Sequence, residues 1–262
     1  MNMDNIPIWA LFVGTIVIIL LAIEVGFLQG HAVRRKSEDE KESPVSAIAG
    51  SILGLSAFML AFAFGIVSDR YDTRRGLVRE DANAIRTAYQ RADFLPEPDR
   101  AEAKELLKQY VDGRVIFAEG DSLAPERVKT MLSETKRIQD RLWDMAVVNA
   151  RKDMNSDVAA MYIDSLNEVN AVHATRVAIG IQARIPLEIW FVLYFITILG
   201  MMGVGYQTGI AESKRSMARP FLALSFALVF ALIAVLDRPD SGILKVKQQL
   251  LIDLRDSITA RQ

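Results

Sequence analysis

A membrane-length run without charge, which turns polar without a helix break, constrains this chain most. The uncharged run extends from Val45 to Val67, and charged residues begin at Asp69. Because no proline separates the two parts, the sequence predicts one helix that leaves the bilayer and continues into water. Glycines, hydroxyls and large aromatic side chains share this helix. That mixture favours several copies packed around an axis that phenylalanines line.

Four segments are long and apolar enough to cross a hydrocarbon core of roughly 30 Å, which takes about 20 helical residues. They are Ile6 to Leu28, Val45 to Val67, Ile189 to Tyr206, and roughly Met217 to Leu236. The first is predicted to remain as a spanning helix, because it lacks the preceding basic residue, the short apolar run and the Ala-x-Ala site of a signal peptide. The sequence therefore predicts a multi-pass membrane protein.

The overall composition excludes several classes of function. The 262 residues carry a formal net charge of -1 and show no clustered basic face, so nucleic acid is not a predicted partner. There is no cysteine, which excludes disulfides, thiolate metal sites and cysteine nucleophiles.

About 120 residues between the second and third spans have helical periodicity. One apolar stripe contains Leu77, Ala84, Ala88 and Tyr89, and no alternating strand pattern is visible. The predicted fold is all-α, with four transmembrane helices and a large helical extramembrane insert between helices 2 and 3. The predicted division is 1–69 for helices 1 and 2, 70–186 for a helical domain continuous with helix 2, 187–236 for helices 3 and 4, and 237–262 for an extramembrane tail.

The chain offers little catalytic chemistry. His31 follows the first span, His173 lies in a polar helical segment, and neither has a second metal ligand at zincin spacing. The adjacent Glu80 and Asp81 are typical of a solvated helix surface. We expect a non-enzyme with no metal and no cofactor.

Small residues four positions apart recur in the spans. The pairs are Gly26 with Gly30, Gly50 with Gly54, and Gly205 with Gly209. In lipid this spacing lets helix backbones approach closely, so it predicts tight helix packing.

One face of the second span continues as a stripe into the polar part of the same helix. Two interpretations stay open: the stripe faces lipid and bulk water, or it faces an axis shared by several subunits. In the second case Phe58 and Phe62 would form apolar rings that gate by excluding water. Projected at about 100° per residue, the stripe holds Gly54, Phe58, Phe62, Gly65, Asp69, Thr73, Gly76, Glu80, Asn83 and Thr87.

Several short motifs resemble one bacterial family. They are Leu60-Ala61-Phe62, Arg70-Tyr71-Asp72-Thr73-Arg74-Arg75, Asp81-Ala82-Asn83-Ala84-Ile85, Tyr110-Val111-Asp112-Gly113-Arg114 and Leu236-Asp237-Arg238-Pro239-Asp240-Ser241-Gly242. Together they resemble the bacterial bestrophin-like membrane proteins, which are distantly similar to the bestrophin ion channels. The resemblance covers most of the chain and implies a location in the bacterial inner membrane.

The similarity to bestrophins implies a homopentameric ion channel with a neck of apolar residues on the second helix. The neck positions match Phe62, Phe58 and Gly54. The Phe-Arg-Asn-Asn run of that family is absent, because Ala63-Phe64-Gly65 follows Phe62. The implied partners are further copies of the chain, the lipid bilayer and monovalent ions. The helical projection adds pore-lining positions below the neck at Gly65, Asp69, Thr73 and Glu80.

Animal bestrophins also bind calcium, through acidic residues near the amino terminus and after the last helix. Asp237 and Asp240 have a roughly comparable place, but their spacing is not that of an EF-hand and Arg238 lies between them. We favour a structural role, in which Asp237 pairs with Arg238 or caps the following turn.

The placement of charge predicts the conducted ion. Asp69 and Glu80 share the phenylalanine stripe, whereas Arg75 and Arg79 are predicted to lie on roughly the opposite side. Because rings of carboxylates favour cations, a monovalent cation is predicted rather than chloride.

Glu24 is the one ionisable residue in the first span, where a buried carboxylate is costly and often functional. A gating role predicts conductance that depends on pH and loses this dependence in Glu24→Gln. The alternative is a carboxylate near the interface that reaches water or bonds to a neighbouring helix.

Two signals for orientation oppose each other. The positive-inside rule places the short basic loops in the cytoplasm and therefore the helical insert outside. The resemblance implies the opposite, with the insert in the cytoplasm, and reporter fusions within residues 34 to 42 and at the carboxyl terminus distinguish the two. The loop residues concerned are Arg34, Arg35, Lys36, Lys41, Lys214, Arg215 and Arg219.

Two functions of different class remain open from the sequence. The first is a homo-oligomeric ion channel gated by the Phe58 and Phe62 rings. The second is a non-conducting membrane scaffold or sensor whose helical domain binds another protein. A transporter is less favoured, because no span is visibly broken at mid-membrane and no inverted repeat is visible.

Overall fold

The computed structural model describes residues 6–35, 42–119, 124–211, 217–238 and 246–260. Within these ranges the chain is helical and contains no strand. The helices are α1 (Ile8–Arg34), α2 (Glu42–Arg91), α3 (Asp99–Glu119), α4 (Pro125–Ala150), α5 (Asp157–Val177), α6 (Leu187–Ile210), α7 (Arg219–Asp237) and α8 (Gln249–Thr259).

Four of the described helices are long and apolar enough to cross a membrane, which confirms the predicted number of spans. They are α1, α6, α7 and the first part of α2. Helix α2 has 50 residues, so it is about 75 Å long at 1.5 Å per residue. It exceeds the roughly 30 Å of a hydrocarbon core, as expected for a helix that continues beyond its span.

The chain divides into two compact units. The first contains residues up to Arg70 together with Arg184–Leu244, and the second contains Tyr71–Ala183 together with Lys245–Gln262. The four candidate membrane segments belong to the first unit, and α3, α4, α5 and α8 belong to the second.

Glycines bring α1 and α6 into backbone contact in the first unit. A Cβ atom added at Gly26 would overlap the carbonyl oxygen of Met202, and one at Gly205 would overlap that of Ile23. Gly30 and Gly209 meet the opposite backbone in the same way. Two of the three small-residue pairs therefore form the close helix contact that their spacing predicts.

Helix α2 packs against α6 through small side chains and one polar contact. A Cβ atom at Gly203 would lie 3.0 Å from the Cβ of Ala49. The buried hydroxyls of Ser56 and Thr197 are hydrogen-bonded at 2.8 Å. These contacts fix which side of α2 faces the rest of the unit.

The second unit has one apolar core to which α2, α3, α4, α5 and α8 all contribute. Ile85, Leu107, Leu142 and Tyr162 are almost fully buried in it. Helix α8 adds three residues at spacings of three and four, which are Leu251, Leu254 and Ile258. The sequence predicts only an extramembrane tail for this segment, whereas α8 packs its apolar side chains into this core.

Candidate functional site

Opposite faces of α2 have opposite environments in the first unit. Leu60, Ala63 and Val67 are buried, and they recur at three- and four-residue spacing. The face that carries Gly54, Phe58, Phe62 and Gly65 is exposed. The packing against α6 therefore leaves this stripe without a cover from its own chain among the described residues.

The two phenylalanines of this stripe are largely exposed, as are other large apolar side chains on the candidate membrane helices. Phe58 is 66% exposed and Phe62 is 60% exposed, and they lie one helical turn apart. Apart from the adjacent residues and backbone of α2 itself, no heavy atom of the described residues lies within 4 Å of a Cβ added at Gly50, Gly54 or Gly65. In a membrane this surface faces lipid, another protein chain or a lumen between chains.

After the span, α2 exposes charged side chains of both signs. Asp69 is exposed in the first unit, and Glu80 is exposed in the second, where Thr73 is half-buried. Arg75 and Arg79 are exposed as well. The prediction that these arginines lie opposite the acidic residues is wrong for Arg79, since at about 100° per residue it lies only about 60° from Phe58 around the helix axis.

Glu24 is paired in the structure. Its Oε2 lies 3.3 Å from Nη1 of Arg219, the first residue of α7. The Arg219 guanidinium also lies 3.4 Å from the Thr208 hydroxyl and stacks over the Phe27 ring at 4.7 Å. The neighbouring-helix alternative for Glu24 is thus present, while its gating role stays a prediction.

Asp237 and Arg238, at the end of α7, are both buried. The Asp237 carboxylate accepts the backbone N–H of Ile185 and lies 3.4 Å from Nη1 of Arg70. Arg238 donates to the carbonyl oxygen of Ile6. Asp237 is therefore paired, but with partners different from those predicted.

No group of three or more metal-binding side chains lies within the described ranges. Asp240 lies outside those ranges, as do Pro239, Ser241 and Gly242 of the same motif and the loop residues Lys36, Lys41, Lys214 and Arg215.

A buried charge network connects several helices of the second unit. Asp81 is 0% exposed and pairs with Arg176. Nε of Arg114 lies 3.7 Å from Oδ2 of Asp81. Arg114 also donates to the Tyr110 hydroxyl at 2.7 Å and to Nδ1 of His173. The prediction of a solvated Asp81 is therefore wrong, although Glu80 beside it is exposed.

His173 is held neutral in this network. Burial, together with the positive charges of Arg114 and Arg176, lowers the pKa of His173 from 6.5 to about 4. Since Arg114 donates to Nδ1, the remaining proton of the neutral ring resides on Nε2. The neutral histidine therefore accepts a hydrogen bond from Arg114 inside the network.

We predict that acidification weakens the second unit through His173. Between pH 6.5 and 4 the unfolded chain binds a proton that the folded chain excludes, so stability is lost as pH falls through this window. With an allowance for partial solvent screening the loss is about 2 kcal/mol. Hydrogen exchange of α5 amides at about pH 7 and about pH 4.5 measures it. His173→Gln keeps an acceptor for Arg114 and should reduce the pH dependence, and an unchanged dependence in this variant contradicts the assignment.

The described helices define an all-helical membrane protein with four candidate spans and an exposed stripe on α2. The chain belongs to the Bestrophin-like domain family, whose model matches residues 16–251. A comparison with curated proteins finds no match.

Two solved structures share the fold. A bacterial bestrophin homologue from Klebsiella pneumoniae, crystallised as a point mutant, has a TM-score of 0.59 at 16% identity, over 95% of this chain and 96% of that one. A second crystal structure, described as that of a membrane protein and also a point mutant, has a TM-score of 0.56 at 16% identity, over 97% and 96% of the two chains. At this identity the likeness concerns the fold.

Proposed function

We propose that this protein is a homopentameric ion channel of the bacterial inner membrane, whose neck is formed by Phe58 and Phe62 of α2. The exposed phenylalanine pair carries the proposal. The phenyl groups of Phe58 and Phe62, one helical turn apart, face away from the described helices of the first unit. Membership of the Bestrophin-like family and the likeness to a bestrophin homologue support an oligomeric arrangement.

In this proposal α2 helices from five copies surround the axis. Stacked phenyl rings make a constriction that holds water poorly, so ions cross only when the rings move apart. Gly54 completes the neck one turn before Phe58, and Gly65 leaves the lumen wider after Phe62. Residues 70–186 and 237–262 lie outside the membrane in this arrangement, and no enzymatic step is required.

The conducted ion is proposed to be a monovalent cation. Asp69 is the first charged side chain after the neck, and it lies within about 20° of Phe58 around the helix axis. A ring of such carboxylates attracts cations. Exposed Arg75 and Arg79 further along α2 oppose this preference, so Asp69 is the side chain on which it depends.

Ion flux into proteoliposomes tests the proposal. We expect flux that requires the protein and, under a NaCl gradient, a reversal potential near that of sodium. A value near the chloride potential rejects the role of Asp69 but keeps the channel. Absence of flux in wild type and in neck variants rejects the channel itself.

One observation favours the scaffold alternative. The second unit exposes several apolar side chains, including Ile116 and Met154, which suit contact with another protein. A scaffold predicts no flux from any variant of α2.

A further inference from the structure

The carboxyl end of α7 bonds to α2 and to the segments just before α1 and α6. Both Asp237 oxygens accept the backbone N–H of Ile185, at 3.0 and 3.2 Å, and Oδ1 also lies 3.4 Å from Arg70 Nη1. Ile185 lies two residues before α6 begins at Leu187. Arg238 bonds the carbonyl of Ile6, two residues before the start of α1. All of these residues belong to the first unit.

These contacts occur where the chain leaves and re-enters the first unit. The chain leaves after Arg70 and returns at Arg184. Asp237 therefore holds the last residue of α2 in this unit together with the second residue after the return. If the segment around Arg70 or the segment around Ile185 moves, a bond to the buried Asp237 carboxylate must be strained or broken.

The Arg70 bond also fixes how α2 is rotated about its own axis. Arg70 lies eight residues beyond Phe62, or about 12 Å along the helix, and about 120° from Phe58 around it. It thus projects toward the packed side of the helix, while the phenylalanines project from the exposed side. An anchor on one side of a stiff helix sets the direction of the side chains on the other.

We propose that Asp237 is a positioning residue that, through Arg70, locks α2 in the orientation that keeps the Phe58 and Phe62 neck closed. The inference rests on the proposed channel function. Release of Arg70 lets α2 turn and withdraw the phenyl rings from the axis. The Arg70–Asp237 ion pair, here called the clasp, controls how often the neck opens. The phenyl rings control how well a closed neck excludes ions.

Single-channel recording separates these two roles. We expect Arg70→Gln to raise the open probability several-fold and to leave the unitary conductance unchanged. Asp237→Asn should act in the same way, because its amide oxygen still accepts from Ile185 while the charge that holds Arg70 is gone. The double variant should equal the larger single effect, since both remove the same ion pair. Arg137→Gln, which loses an exposed arginine of α4 paired with Glu134, is the matched control and should change nothing.

Arg70→Lys keeps the charge and should give an intermediate open probability. This variant tests the clasp if Arg70→Gln does not fold. Unchanged open probability in both single variants, additive effects in the double variant, or a changed unitary conductance would overturn the clasp. If these variants behave like wild type while neck variants conduct, only this inference fails. If neither wild type nor neck variants conduct, the channel proposal fails and the clasp fails with it.

Discussion

Replacing Phe58 and Phe62 together with alanine raises ion flux through the reconstituted protein by at least about tenfold, which corresponds to a barrier lowered by about 1.4 kcal/mol. Both rings project from the unpacked face of α2 and carry no hydrogen-bonding group. Truncation removes the apolar surface that repels water from the lumen. Because most of each side chain is exposed among the described residues, we expect the variant to fold. Ion flux into liposomes, detected by an enclosed fluorescent indicator, measures the effect.

Helix α6 offers a matched control for this experiment. Phe191 and Phe195 also lie four residues apart, with 69% and 51% of their surfaces exposed, and their rings stack at 6.1 Å. The double alanine variant of this pair removes the same chemistry from another helix. It should leave flux at the wild-type level. Equal flux from both double variants would falsify the assignment of the neck to α2.

Replacing Gly26 with alanine is expected to destabilise the protein by about 3 kcal/mol or more, the upper range for overpacking. The added Cβ would overlap the backbone of Met202, which cannot move aside as a flexible side chain could. Helices α1 and α6 would have to separate along their contact. Loss of the monodisperse peak after mild heating, in size-exclusion chromatography, reports the change.

Gly14 on the same helix supplies the control. Apart from the adjacent residues and backbone of α1 itself, no heavy atom in the described part of the chain lies within 4 Å of a Cβ added there. Alanine at this position should leave stability unchanged or raise it by about 0.5 kcal/mol, because it restricts the unfolded backbone. A larger loss from Gly14→Ala than from Gly26→Ala contradicts the account of the α1–α6 contact.

The candidate membrane helices could be predicted from the sequence because membrane insertion depends on local composition. A run such as Val45 to Val67 has no charge to place in hydrocarbon, whatever its partners. Helical periodicity likewise predicted the burial of Leu77, Ala84 and Ala88. The same periodicity contained the signal that Asp81 is buried, since it lies four residues after Leu77 and four before Ile85. The general preference of carboxylates for water concealed it.

The ion pairs could not be predicted, because their partners are far apart in the chain. Glu24 meets Arg219 across 195 residues, and Arg70 meets Asp237 across 167. No rule of sequence spacing identifies partners that are so far apart. The glycine pairs show the same limit, since Gly26 with Gly30 lies against a helix and Gly50 with Gly54 lies against no described residue. Which pair is used within a protomer depends on the helix opposite.

Imaging the detergent-extracted assembly by electron cryomicroscopy tests the central claim most directly. The account predicts a ring of copies in which the second helices surround a lumen narrowed by the side chains of Phe58 and Phe62. A monomer, or an oligomer whose Phe58 and Phe62 rings point toward lipid, would contradict it.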